Sequence, residues 1–279
     1  MKINISILFL FLYCLSFESA AQDILAEQKR HTEELFIEGK YFDAVTEGKR
    51  LTFFDTASRY SYTANLLIAR SYKAGGRFND ALKYFNLARK YARNDLAGYE
   101  SRIEAVKCLI ILRSSSALTI LRSLENEPSA GHAQFGCPAY WRGWYYLFCG
   151  EPGNAAEEFA KNDEGKFLAA FCDSINNEKY SVNFGRSISY LIPGSGLFYA
   201  GEYYKGMMSL AWNALGIWLT ADALNSNRAL DGVLIANFAW FRFYFGGVRN
   251  ADKEIRNRNN ELTNSAIDYL TINYKGLKP

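Results

Sequence analysis

Apolar residues recur at helical spacing from Asp23 to about Asp163, and no proline interrupts the chain between Asp23 and Glu127. That pattern predicts a run of amphipathic helices. A further amphipathic stretch, Gly165 to Asn183, puts Phe167, Ala170, Phe171 and Ile175 on one side. The pattern then changes. A turn-rich segment, Leu191–Gly201, leads into two apolar runs, Met207–Leu224 and Val233–Phe245, which predict a helical hairpin. At a rise of 1.5 Å per residue the first run is long enough to cross most of a bilayer core. The second reaches that length as Ala229–Val248 once Asp231 and Arg242 are accommodated. At the other end, Met1–Ala21 combines Lys2, an apolar core from Ile5 to Phe17 and the small residues Ser19, Ala20 and Ala21, the pattern of a secretory signal cleaved before Gln22. The expected organisation is all-α: a signal over 1–21, helical repeats over 22–163, a capping or linking helix over 164–186, a membrane module with two transmembrane helices over 187–260, and a tail over 261–279.

The middle of the chain repeats itself. Gly39-Lys-Tyr-Phe-Asp-Ala44 is matched by Gly76-Arg-Phe-Asn-Asp-Ala81, with Gly48 and Leu51 after the first where Phe85 and Ala88 follow the second. Ala69 and Tyr72 stand before the second copy. A weaker copy holds Ala105, Ala117 and Leu121, and a fourth holds Gly143, Tyr146, Gly150, Ala155 and Phe159. The anchoring alanines fall at 44, 81, 117 and 155, a period of roughly 36–38 residues. These positions resemble the tetratricopeptide repeat, in which a small residue on each of two helices permits close approach and neighbouring aromatics fill the groove. The resemblance implies stacked helix pairs whose concave face binds an extended peptide or a partner helix. Tyr140, Trp141, Trp144 and Tyr145 are candidates to line that face; the alternative for such a stripe is packing between repeats.

The segment Pro193-Gly-Ser-Gly196, Tyr199, Gly201, Gly206 and Asn213 resembles a bacterial family of small two-span membrane domains with a Pro-Gly-x-Gly-x-x-Tyr-x-Gly pattern, largely of unknown function. The resemblance covers Ser187 to Asn260 and includes the aromatic-glycine stretch Phe243–Gly247, with Gly246 in it, followed by Asn250 and Ala251. It implies architecture more than activity. Proline and closely spaced glycines break a helix and let backbones approach. Asn213, Asp222, Asn237 and Arg242 would be costly against lipid and are expected to face protein or water. If the hairpin turns near Asn227, Asn213 and Arg242 lie at similar depth, which suggests a hydrogen bond between them. Two complete spans would return the basic tail, with Arg249, Lys253, Arg256 and Arg258, to the exported side. Either Ile188–Ala200 crosses as a third span, or the tail lies on the surface as an amphipathic helix.

Composition narrows the functional classes. A net charge of +3 over 279 residues implies no nucleic-acid partner. The two histidines, His31 and His132, stand near no pattern for a nucleophile, base or metal ligand, and no nucleotide, hydrolase or zinc motif is present, so neither an enzyme nor a cofactor is expected. Cys108, Cys137, Cys149 and Cys172 match no redox or metal spacing and read as free thiols. The resulting expectation is a membrane-anchored scaffold of the bacterial inner membrane, its repeats exported to the periplasm and binding a protein partner, its C-terminal module in the lipid bilayer. The alternative makes the membrane module the working part, assisting insertion, assembly or transport of another membrane component.

Overall fold

The computed structural model describes residues 24–127 and 136–279; the expected signal segment and His132 lie outside the described residues. The described residues are helical, with no strand among them. They divide into two compact units, the first comprising residues up to Tyr145 with Glu158–Gly165 and Gly276–Pro279, the second Tyr146–Glu157 and Lys166–Lys275.

In the first unit a helix over residues 24–37 (α1) is followed by α2 Tyr41–Phe54, α3 Ser61–Ala74, α4 Phe78–Lys90, α5 Asp95–Ile111 and α6 Ser116–Leu124. Successive helices from α2 to α6 pack on one another. Small residues set their spacing. Ala44, Ala81 and Ala117 are fully buried, and a Cβ added to Gly48 would lie 2.7 Å from Ile68. The second copy forms a core cluster in which Leu66, Ala69, Ala81, Phe85, Ala88, Ala105 and Cys108 meet, flanked by Tyr72, Phe78 and Tyr84. The α2–α3 turn is organised by buried Asp55, whose carboxylate accepts from the amides of Arg59 (2.9 Å) and Tyr60 (2.7 Å).

Helix ends carry the repeat more clearly than helix interiors do. At residues 39, 76, 113 and 150 the chain adopts a left-handed conformation, each 37 residues beyond the last. At each, the next amide bonds back to the carbonyl five residues before it: Lys40 to Leu35 (2.9 Å), Arg77 to Tyr72 (2.8 Å), Ser114 to Leu109 (2.9 Å) and Glu151 to Tyr146 (2.9 Å). This paired closure satisfies the last helical carbonyls, and glycine provides it without steric cost. Arg113 provides it at φ 54° with a full side chain.

Beyond α6 the chain continues through α7 Pro138–Phe148 and α8 Pro152–Phe159. The second unit then contains α9 Lys166–Glu178, α10 Val182–Leu191, the short α11 Ser195–Tyr199, α12 Tyr203–Asn225, α13 Ala229–Ile235, a π-helical turn Ala236–Trp240 and α14 Phe241–Asn273. α12 packs along α13, the π turn and the start of α14, while α10 and α11 pack on α14. Stacked rings join α9 to the end of α14, Phe171 on Tyr269 (5.6 Å) and Phe167 on Tyr274 (5.9 Å).

The expected pair of transmembrane helices is corrected here. Among the described residues no helix is long and apolar enough to cross a membrane. With 23 residues α12 has the length, about 34 Å, but it carries Asn213, Asp222 and several small or amphipathic residues. The second apolar run is not one α-helix. It is divided among α13, the π turn and the first turns of a 33-residue helix that is mostly polar.

Candidate functional site

The four aromatic candidates of α7 are buried: Tyr140, Trp141 and Trp144 almost completely, and Tyr145 nearly so. Tyr140 and Trp144 meet Phe159 edge-on at 5.6 and 5.9 Å, and Gly143 lies so close to that ring that an added Cβ would approach within 2.7 Å. The Tyr140 hydroxyl donates to the Leu277 carbonyl (2.6 Å). These rings therefore fill an interior and do not line an open face.

The open aromatic surface of the first unit lies elsewhere. A groove of about 500 Å³ between α2 and α3 is lined by Tyr41, Phe42, Val45, Lys49, Tyr72 and Arg77, among others, and Phe42 is 83% exposed. Lys49 donates to the Tyr72 hydroxyl (3.0 Å), which raises the lysine pKa, and its ammonium sits over the rings of Tyr72 (5.5 Å) and Tyr84 (5.8 Å). Arg77 covers Tyr72 from 5.1 Å. Cations held on aromatic faces while still open to solvent suit a partner segment with carboxylates and apolar side chains. The sequence signal for this site was Tyr41 and Phe42 inside the first Gly-x-Tyr-Phe copy; their conformity to a packing pattern hid their exposure.

A polar seam ties α3 to α5. Arg70 pairs with Glu100 (2.6 Å), and Glu104 receives both Lys73 (3.2 Å) and Lys107 (2.5 Å). Burial works to raise the Glu104 pKa, but the two lysines outweigh it and the net shift is downward. Burial lowers that of Lys107, whose ammonium also lies 4.9 Å from the Trp141 ring. Nearby Cys108 is buried and its thiol is pushed up to about 11; buried Cys172 is pushed up to about 12. All four cysteines among the described residues are free, and the two buried ones lack the thiolate character that reactivity requires. His31 is solvent-exposed.

In the second unit the Pro-Gly motif makes a glycine-braced corner. Pro193 follows the end of α10, and Gly194 turns the chain at φ 91°, where an added Cβ would lie 2.5 Å from the Gly206 carbonyl oxygen. Gly196 is tighter still, with Ser189 Oγ at 2.1 Å and the Gly185 carbonyl at 2.4 Å from such a Cβ. Its amide donates to Ser189 Oγ (3.1 Å), which in turn donates to the Gly185 carbonyl (2.8 Å). Tyr199 accepts from the Ser181 amide (3.0 Å) through its hydroxyl and meets Tyr180 and Phe184 edge-on. Gly201 closes α11 at φ 82°, and Gly206 faces the Phe198 ring. Pro193, Gly194, Gly196, Tyr199, Gly201 and Gly206 thus belong to one corner.

Asn213 and Arg242 do not form the bond the sequence suggested. Asn213, 1% exposed, donates to the Ser209 carbonyl one turn earlier (2.7 Å), and its Oδ1 has no partner. Arg242 is exposed and has no hydrogen-bond or ion-pair partner among the described residues. Around these residues the hairpin has inverted polarity. α12 buries Gly206, Asn213, Gly216 and Ala223, while Met207, Leu210, Ile217, Trp218 and Leu224 are exposed. Leu230, Val233, Leu234, Phe238, Phe241 and Phe245 are exposed on the returning helical arm of the hairpin.

No protein-family model, no curated protein and no solved structure matches this chain.

Proposed function

We propose that this chain is a non-enzymatic scaffold of the bacterial cell envelope. Its tetratricopeptide-like repeats hold a protein partner, and its glycine-braced hairpin seats the chain in a lipid bilayer. One observation carries the reading: large apolar side chains outside the hairpin, small and polar ones inside. Water-exposed helices bury their apolar stripe, whereas helices packed within lipid meet through small residues and turn their bulk outward. The seat needs no helix that crosses alone. On α12 the apolar band runs from Lys205, paired with Glu202 and Glu254, to Asp222, paired with Arg228. Residues 206–221 span about 24 Å, short of a hydrocarbon core of roughly 30 Å.

The partner half rests on the Lys49–Tyr72 groove, whose exposed Phe42 and aromatic-held cations favour an extended, acidic and apolar segment. The apolar, basic-started N-terminal segment supports export of the repeats to the periplasm. Two measurements on the full chain test this. The protein is expected to stay with washed membranes until detergent is added; recovery as a monodisperse soluble species without detergent overturns the lipid seat. A photocrosslinker at Phe42 is expected to give an adduct of defined mass that disappears with Lys49→Glu. Adducts that persist in that variant overturn the groove as the binding surface.

A further inference from the structure

The groove between α12 and α14 is shaped by missing side chains. At Gly246 nothing lies within 4 Å of an added Cβ, and Gly247 approaches Ser209 so closely that a Cβ would lie 2.6 Å from its Oγ. Two successive positions of α14 thus present bare backbone to Met208, Ser209 and Trp212 of α12, leaving a space of about 520 Å³. One wall is apolar: Trp212 stacks on Phe243 at 5.0 Å and 11°. The other features are polar: Arg242, Asn250 and the Ser209 hydroxyl, whose oxygen is buried without a partner.

We infer that this groove holds the phosphate of an anionic phospholipid, with Arg242 as its cation and the Trp212–Phe243 wall against the lipid's apolar portion. The inference rests on the lipid seat proposed above and names the lipid class it selects. Charge accounting singles out Arg242. The other cation lining the groove, Lys205, is answered by Glu202 (3.1 Å) and Glu254 (2.9 Å), and Arg186 and Arg228 pair with Asp252 and Asp222; Arg249, Lys253 and Arg256, farther along α14, do not line it. Arg242 alone lines the groove without a counter-charge among the described residues. A guanidinium amid apolar side chains is costly unless an anion joins it, and its planar fork fits two phosphate oxygens at once.

Depth agrees with this occupant. An apolar band about 24 Å long draws the surrounding bilayer thinner than its usual ~30 Å, which brings headgroup phosphates down toward the groove. Charge also decides against a choline headgroup. Choline would add a second cation where Glu202 and Glu254 are already engaged by Lys205.

The test uses the full chain reconstituted into phosphatidylcholine vesicles containing a minor share of phosphatidylglycerol, with lipid retained per protein counted by native mass spectrometry. The wild type is expected to retain phosphatidylglycerol preferentially. Arg242→Gln should lower that retention roughly tenfold, the equivalent of one charge-assisted hydrogen-bonded contact, and Arg242→Lys should recover part of it. Gly246→Leu extends a side chain from a position whose Cβ meets open space and should lower retention while helical circular dichroism is unchanged. Equal retention of both lipids by a vesicle-seated wild type overturns the phosphate site and leaves the seat standing. Failure of the wild type to enter the vesicles overturns both. Inorganic phosphate that displaces the retained lipid completely assigns the site to free phosphate and overturns the lipid source.

Discussion

Arg113 stands where three other repeat ends carry Gly39, Gly76 and Gly150, in the same left-handed conformation. A side chain there costs roughly 1–2 kcal/mol, partly offset by the smaller entropy that a non-glycine residue loses on folding. Arg113→Gly is therefore expected to stabilise the full chain by about 0.5–1 kcal/mol, and Gly76→Ala to destabilise it by about 1 kcal/mol; denaturant unfolding of the two variants checks the opposite signs. The same substitution also separates two glycines of the second unit. Gly196→Ala forces a Cβ against Ser189 Oγ and the Gly185 carbonyl and should cost about 1–3 kcal/mol, whereas Gly246→Ala meets open space in a helix and should stabilise by up to about 1 kcal/mol. A similar melting temperature for both would remove the glycine brace from the description of this corner. The single-letter pattern marked all these glycines alike. Only their neighbours distinguish a contact from an opening.

At the scale of elements, α3 and α5 are joined by half-buried charge. The Glu104 carboxyl lies below its ordinary 4.5, so its contribution is complete above that pH and is lost as pH falls through the lower, folded-state value. Glu104→Gln leaves Lys73 and Lys107 without their counter-charge and should cost about 3 kcal/mol at neutral pH. The variant should also lose less stability than wild type between pH 4.5 and lower values, as pH-dependent unfolding curves will show. Sequence periodicity marked these helices but gave no hint of the seam, because the pairing charges of α3 and α5 stand about thirty residues apart and nothing local in the sequence links them. The hairpin shows the converse. Its two runs were legible as apolar, yet α12 and the α13–π–α14 path differ in continuity, since Ala236–Trp240 adds a π turn within the second. The Asn213–Arg242 pairing was inferred from symmetry about Asn227; that turn does occur, with Asn227 left-handed, but burial took one residue and solvent exposure the other.

For the whole molecule, the proposed lipid seat predicts that apolar surface, not core packing, governs recovery. Trp218→Glu and Leu234→Glu alter exposed positions and should leave helical circular dichroism within error, yet move a substantial fraction of the chain out of the membrane pellet. Unchanged partition would sink that reading. Much of the architecture was already written in the residues: all-helical folding, the spacing of small anchors at Ala44, Ala81 and Ala117, and the break at Pro193–Gly194 all follow from local period and backbone chemistry, which act over a few residues. Tertiary structure decided what each face meets. It turned the aromatic stripe of α7 inward and left Phe42 outside, and it put the glycines of one motif against carbonyls, rings or empty space. Local sequence fixes the direction of a side chain relative to its own helix, whereas burial depends on elements distant along the chain, and their positions are set only when the unit packs.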